Sequence, residues 1–116
     1  MNYGEPYKNL PEKFTRKALR NFFKRIDGQK LGVTLNSLQC PIAQFVQQEL
    51  GETPSIGYGR WIIGEKVYNV PAWGQTFMRK VDNKEHYEHG AMKSVDITGD
   101  EALAALDSLD KEEENA

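Results

Sequence analysis

Cysteine is almost missing from this chain: Cys40 stands alone among 116 residues. No intrachain disulfide can form, so the fold must hold without a covalent staple, and a reducing compartment such as the cytoplasm is the expected location. Long apolar runs are missing too. None approaches the roughly 18 residues of a membrane span, and the start, MNYGEP, has no hydrophobic core behind a basic flank, so neither membrane insertion nor secretion is expected. No Gly-Lys-Ser/Thr phosphate loop occurs. The one glycine-rich tract, Gly57-Tyr58-Gly59, precedes a predicted strand, whereas a dinucleotide site needs strand, turn and helix in that order. No cofactor is therefore expected. There are no internal repeats.

The apolar share, 39%, is enough for one core, with Phe14, Phe22, Phe23, Trp73 and Phe77 as bulky anchors. A chain of this length is one domain and buries roughly two-thirds of its unfolded surface. The near-neutral total charge of -2 conceals a strong polarity. Residues 1–30 carry a net +5, residues 31–93 are neutral, and residues 94–116 carry -7. That polarity has two readings: a basic contact face with an acidic tail, or attraction within the molecule.

Apolar residues at Phe14, Ala18, Leu19, Phe22, Phe23 and Ile26 fall at helical spacing, which predicts a helix over 14–26 ended by Asp27-Gly28. Its outer face is basic: Arg16, Lys17, Arg20, Lys24 and Arg25. Residues 31–35 read as a short strand. A second helix is expected from Pro41 to Leu50, with Pro41 at the first position and Gly51 as the stop. Residues 61–63 and 67–70 flank Gly64-Glu65, a pair suited to a type II′ hairpin. Pro71 starts a third helix bearing Trp73, Phe77 and Val81. Residues 82–91 are polar and read as a loop, 94–98 as a strand. Thr98 and Glu101 have the spacing of a capping box for a last helix edged by Leu103, Leu106 and Leu109. The expected fold is α+β: a small, mostly antiparallel sheet with three to four helices packed mainly on one face. Residues 1–110 form the single domain and 111–116 an acidic, disordered tail.

Four groups of residues carry candidate chemistry. Cys40 precedes a helix start, where the dipole can lower a thiol's pKa, and His86 or His89 could serve as its base; the rival reading makes Cys40 apolar filler. His86 and His89 lie close together but lack further ligands, so no metal site is expected. The basic helix face, with Tyr58, Arg60 and Trp61 on the hairpin, combines cations and aromatics as single-strand binders do. Trp61 and Tyr68 read equally well as core residues, and the acidic tail would compete for the same cations. A basic amphipathic helix can also lie on a membrane, but its Phe-rich stripe is what packing onto a sheet requires.

The segment LQCPIAQF over 38–45, the glycine-rich hairpin after it, and Val70-Pro71-Ala72-Trp73 opening a helix together resemble small uncharacterised phage and prophage proteins. The resemblance implies a mobile-element accessory context and no activity, and it does not extend to the basic helix or the acidic tail. The leading expectation is a non-enzymatic factor that binds or modulates a host or defence protein. Nucleic-acid binding through helix 14–26 and a Cys40-dependent enzyme are the alternatives. Homo-oligomers held by the basic helix against a neighbour's acidic tail are a further expectation.

Overall fold

A computed structural model describes residues 6–83, 86–88 and 91–114, with side chains described for 6–83 and 94–109. The elements, in order, are α1 (Arg16–Ile26), β1 (Lys30–Val33), α2 (Pro41–Phe45) continuing as a π-helical turn (Val46–Leu50), β2 (Pro54–Ile56), β3 (Arg60–Ile63), β4 (Lys66–Asn69), α3 (Ala72–Asp82), β5 (His86–Glu88), β6 (Ala91–Lys93), β7 (Asp96–Thr98) and α4 (Gly99–Glu114). The α+β class expected from the pattern is the class observed. Every strand ladder is antiparallel, and the strands divide into three groups: β2-β3-β4, β1-β7 and β5-β6.

Local chemistry explains most boundaries. Thr15 caps α1 by accepting the Ala18 N–H at 3.0 Å, so Phe14 sits before the helix and points its ring inward. Pro41 opens α2, and Gly51 closes the π-helical turn in the left-handed region at φ 68°. Gly64 takes φ 63° in a two-residue turn between Ile63 and Lys66, the conformation that a II′ hairpin asks of its first central residue. At the start of α4 the capping box is closed in both directions. The Thr98 N–H reaches Glu101 Oε1 at 3.0 Å, and the Glu101 N–H reaches Thr98 Oγ1 at 3.2 Å.

One expectation is corrected outright. Residues 82–91 are not all loop: His86–Glu88 pairs with Ala91–Lys93 in a hairpin whose register brings Tyr87 opposite Met92. The polar composition of the stretch masked both strands. Strand β2 adds a third strand ahead of the expected hairpin. Pro54 stands at its first position, where a missing N–H removes no ladder bond.

The core is aromatic and joins four elements. Trp61 of β3 has no exposed surface. Its ring stacks on Phe14 (centroids 5.4 Å apart, planes 21°) and meets Trp73 of α3 edge-on at 6.0 Å. Phe14 in turn meets Phe45 of α2 at 5.0 Å, and Phe45 meets Phe22 of α1 at 5.7 Å. Gly74 makes this possible, because a Cβ there would stand 2.6 Å from the Trp61 indole. The indole N–H points to Met78 Sδ at 3.4 Å.

Helix α4 packs antiparallel along α1 and also touches α3. Gly99 lets the two helices meet closely, since a Cβ there would stand 2.5 Å from the Phe23 carbonyl oxygen. The Asp100 N–H then donates to the Asp27 carbonyl at 2.8 Å. At the far end of β4, the segment around Tyr7 lies alongside the strand: Tyr7 N–H donates to the Val67 carbonyl at 2.9 Å and Asn69 N–H to the Tyr7 carbonyl at 3.0 Å. The buried Thr34 joins the two halves of the β1-β7 ladder. Its N–H donates to the Val95 carbonyl, and its hydroxyl oxygen accepts the Val95 N–H at 3.0 Å.

Two stability predictions follow from these contacts. Trp61→Ala should lower the free energy of unfolding by about 3–5 kcal/mol, and Gly74→Ala or Gly99→Ala by about 1–3 kcal/mol. Gly59→Ala, where a Cβ meets nothing within 4 Å, should stay within about 0.5 kcal/mol. Urea titration followed by tryptophan fluorescence reads all four. The second concerns the Asp27–Asp100 pair. A hydrogen bond to the Asp27 carboxyl raises the pKa of the Asp100 carboxyl, with desolvation and the neighbouring charge adding to the rise. A pKa raised by folding stabilises below the unfolded value and loses that contribution as pH climbs through the folded one. Asp27→Asn, which replaces repulsion by an amide donor of nearly the same shape, should raise the melting temperature at pH 7. The gain should fade by pH 3.

Candidate functional site

The basic helix carries the strongest charge signal of the chain. Its cations are largely engaged within the molecule. The Arg20 guanidinium pairs with Asp107 of α4, Nε to Oδ1 at 2.8 Å. Arg25 pairs with Glu49 on the π-helical turn and lies 5.9 Å above the Phe22 ring. Arg16 lies 5.7 Å over the ring of Trp73. Lys17 and Lys24 are exposed. The Arg20–Asp107 pair is itself about half exposed and contributes at most about 1 kcal/mol. Its meaning is positional: basic N-terminal helix and acidic C-terminal helix attract each other within one chain.

The hairpin aromatics do not form a stacking platform. Trp61 is a core side chain, as are Tyr68 and its neighbour Val67. Tyr68 is covered by the Tyr7 ring, with centroids 5.3 Å apart, and Lys66 stands 5.8 Å over that ring. Trp61 is thereby corrected from a binding residue to a structural one. Its place on the inner face of β3 depends on strand register, which alternation alone could not assign. Arg60 is exposed at the start of β3, and Tyr58 is 39% exposed.

Cys40 sits at the cap position of α2 and is buried. Burial pushes its thiol up to about 11; the N–H groups of Ala43 and Ile42 work against that shift, and Asp82 adds to it. At neutral pH the group is a protonated thiol, the opposite of an activated nucleophile. His86 heads β5, while its side chain and all of His89 lie outside the described residues. Among the described residues no three His, Cys, Asp or Glu side chains converge on a metal position, and no helix is long and apolar enough to cross a membrane.

Cys40 nonetheless borders the most site-like feature of the molecule, a hollow of about 280 Å³ between the 35–42 segment, the end of β2 and α3. Its floor is apolar: Ile42, Ile56, Phe77, Met78 and Val81. Leu35 and Tyr58 flank it with exposed side chains, and Leu38, 54% exposed, follows in the same turn. Asp82, the last residue of α3, stands in the lining and fixes both flanks. Its Oδ1 accepts the Leu35 N–H at 3.1 Å, and its Oδ2 accepts the Tyr58 hydroxyl. Gln75 adds a bond from its side-chain amide to the Tyr58 carbonyl at 3.1 Å.

Leu35 takes φ 55°. A leucine there is strained, and strain of this kind costs about 1–3 kcal/mol.

No protein-family model, no curated protein and no solved structure matches the chain. Function has to be read from geometry. A wider groove of about 760 Å³ runs between residues 11–13 and the β3–β4 hairpin, but it mixes Glu12, Glu52 and Glu65 with Lys13 and Lys66, so neither sign prevails. The hollow at Asp82 is smaller, more apolar and more definite. Neither Asp82 nor Leu35 stood among the sequence candidates. Asp82 lay in a stretch read as loop, and only the fold brings it across 47 positions to Leu35.

The state of the thiol is directly testable. A thiol moved from 9.0 to about 11 has about a hundredfold less thiolate at neutral pH. Native protein at pH 7.5 should therefore react with iodoacetamide at least about a hundredfold more slowly than the same chain in 6 M guanidinium. Equal rates would contradict the burial described above.

Proposed function

We propose that the chain is a small non-enzymatic interaction factor that docks on a protein partner through the rim of the Asp82 hollow. One observation carries this reading: Leu35 is held in a strained backbone conformation with its side chain 43% exposed, beside an apolar hollow and an exposed Tyr58. Folding alone does not reward that arrangement. The strain and the exposed apolar surface both cost stability, and a carboxylate from another element maintains them. Apolar rims around a hollow are a common form of protein contact surface.

The internal pairing of Arg20 and Arg25 weakens the nucleic-acid reading, because cations already paired release fewer counterions from phosphate. The protonated, buried thiol weakens the enzyme reading. The resemblance to small phage and prophage proteins supports a cytoplasmic accessory role, with a host or defence protein as the partner.

The test is an affinity capture from lysate of the source cells with and without nuclease, using wild type, Leu38→Glu, and the double variant Lys17→Glu/Lys24→Glu. All three substitutions are at exposed positions and should fold normally by circular dichroism. A stoichiometric partner should be retained by wild type and by the lysine variant and reduced at least about tenfold by Leu38→Glu, the scale of an interface residue worth about 1.4 kcal/mol. Loss in the lysine variant, or with nuclease, would transfer the function to the basic helix.

A further inference from the structure

The chemistry of the hollow narrows what the partner presents. Among the described residues that line it, Asp82 alone carries a charge. Its carboxylate is positioned by two donors from different elements, Leu35 and Tyr58. Asp82 is also the last residue of α3, whose carbonyl end adds partial negative charge at the same place. Arg79 and Lys80 lie in the last turn of that helix, but neither lines the hollow. Asn36 and Ser37 add uncharged polar groups, and the rest of the lining is largely apolar, with Ile42, Ile56, Phe77, Met78 and Val81 beside the neutral Cys40. An anionic mouth above an apolar floor discriminates. A neutral apolar group gains only the floor, an anion is repelled at the mouth, and an apolar group with a cation beside it gains both.

We infer that the hollow takes a hydrophobic cation, presented by the partner protein as an aliphatic or aromatic side chain next to a lysine or arginine. The inference rests on the docking reading above and names the chemistry of its central contact. A cavity of about 280 Å³ has room for such a side chain. The apolar group sits over Phe77 and Met78, and the cation stays at the mouth against Asp82. A carboxylate held in advance makes the charge-assisted bond without first paying to order itself.

The test uses three small probes of one shape and different charge: 2-phenylethylamine, 2-phenylethanol and 3-phenylpropionate. Each is titrated into the full-length protein at pH 7 while backbone amide resonances are followed by NMR. The amine should shift Leu35, Tyr58 and Asp82 and bind about five- to tenfold more tightly than the alcohol, with the carboxylate weakest. In Asp82→Asn, where the amide oxygen still accepts from Leu35 N–H, the amine should fall to the level of the alcohol. Glu65→Gln, which neutralises an exposed carboxylate outside the hollow, should retain the order amine, alcohol, carboxylate. Equal binding of the three probes, no binding by any of them at millimolar concentration, or an amine preference that survives Asp82→Asn would each overturn the inference. Failure of the docking reading is registered separately, by unchanged partner capture in Leu38→Glu.

Discussion

The fit of Trp61 into the notch left by Gly74 is the constraint on which the rest of the molecule depends. The indole has no exposed surface, so every neighbour must come to it: Phe14 from before α1, Trp73 and Met78 from α3, and Phe45 at one remove from α2. An aromatic of this size buries on the order of 150–250 Å². A one-residue slip of β3 would turn it to the opposite face. The placement of α3 follows from this fit, and so does the Asp82 carboxylate at its end. The position of the hollow is thus set by the way α3 is seated.

Where local chemistry decides a feature, the sequence was readable. The amphipathic stripe of α1, the Pro41 start and Gly51 stop, the Gly64-Glu65 turn and the reciprocal Thr98/Glu101 cap all appear as expected, because each depends on residues within a few positions of one another. Where long-range packing decides, reading failed. The β5–β6 hairpin hides in a polar stretch, because two three-residue strands leave no alternation long enough to stand out. Trp61 and Tyr68 were divided between surface and core until the register settled them, and Tyr68 is covered only because Tyr7 returns to it from 61 positions away. Gly32 and Gly74 carried no local signal at all. Their necessity comes from a facing Gln39 backbone and a facing indole.

The site shows the same division more sharply. The charge polarity was plain from composition, but its outcome was not. Pairing of Arg20 with Asp107 and Arg25 with Glu49 turns much of that polarity inward. Cys40 was a reasonable candidate from its position before a proline, yet a five-residue helix offers little dipole and its cap position is buried, so desolvation outweighs the helix N–H groups. Asp82 had no mark in sequence. Its importance comes from bringing Leu35 and Tyr58 together across the fold, and from standing as a single charge in an apolar lining.

The short segment at Tyr7 has a consequence for how copies of this protein behave toward one another. A three-stranded sheet has two outer margins, and an open margin is a template on which another chain can polymerise. Here Tyr7 occupies the β4 margin with two backbone bonds, and the Ser37 carbonyl takes the Ile56 N–H on the β2 margin. Both ends of the ladder are thereby stopped by the chain itself. The sheet is a closed patch, and growth of it into a fibre would first require peeling away the Tyr7 segment or the 36–38 turn.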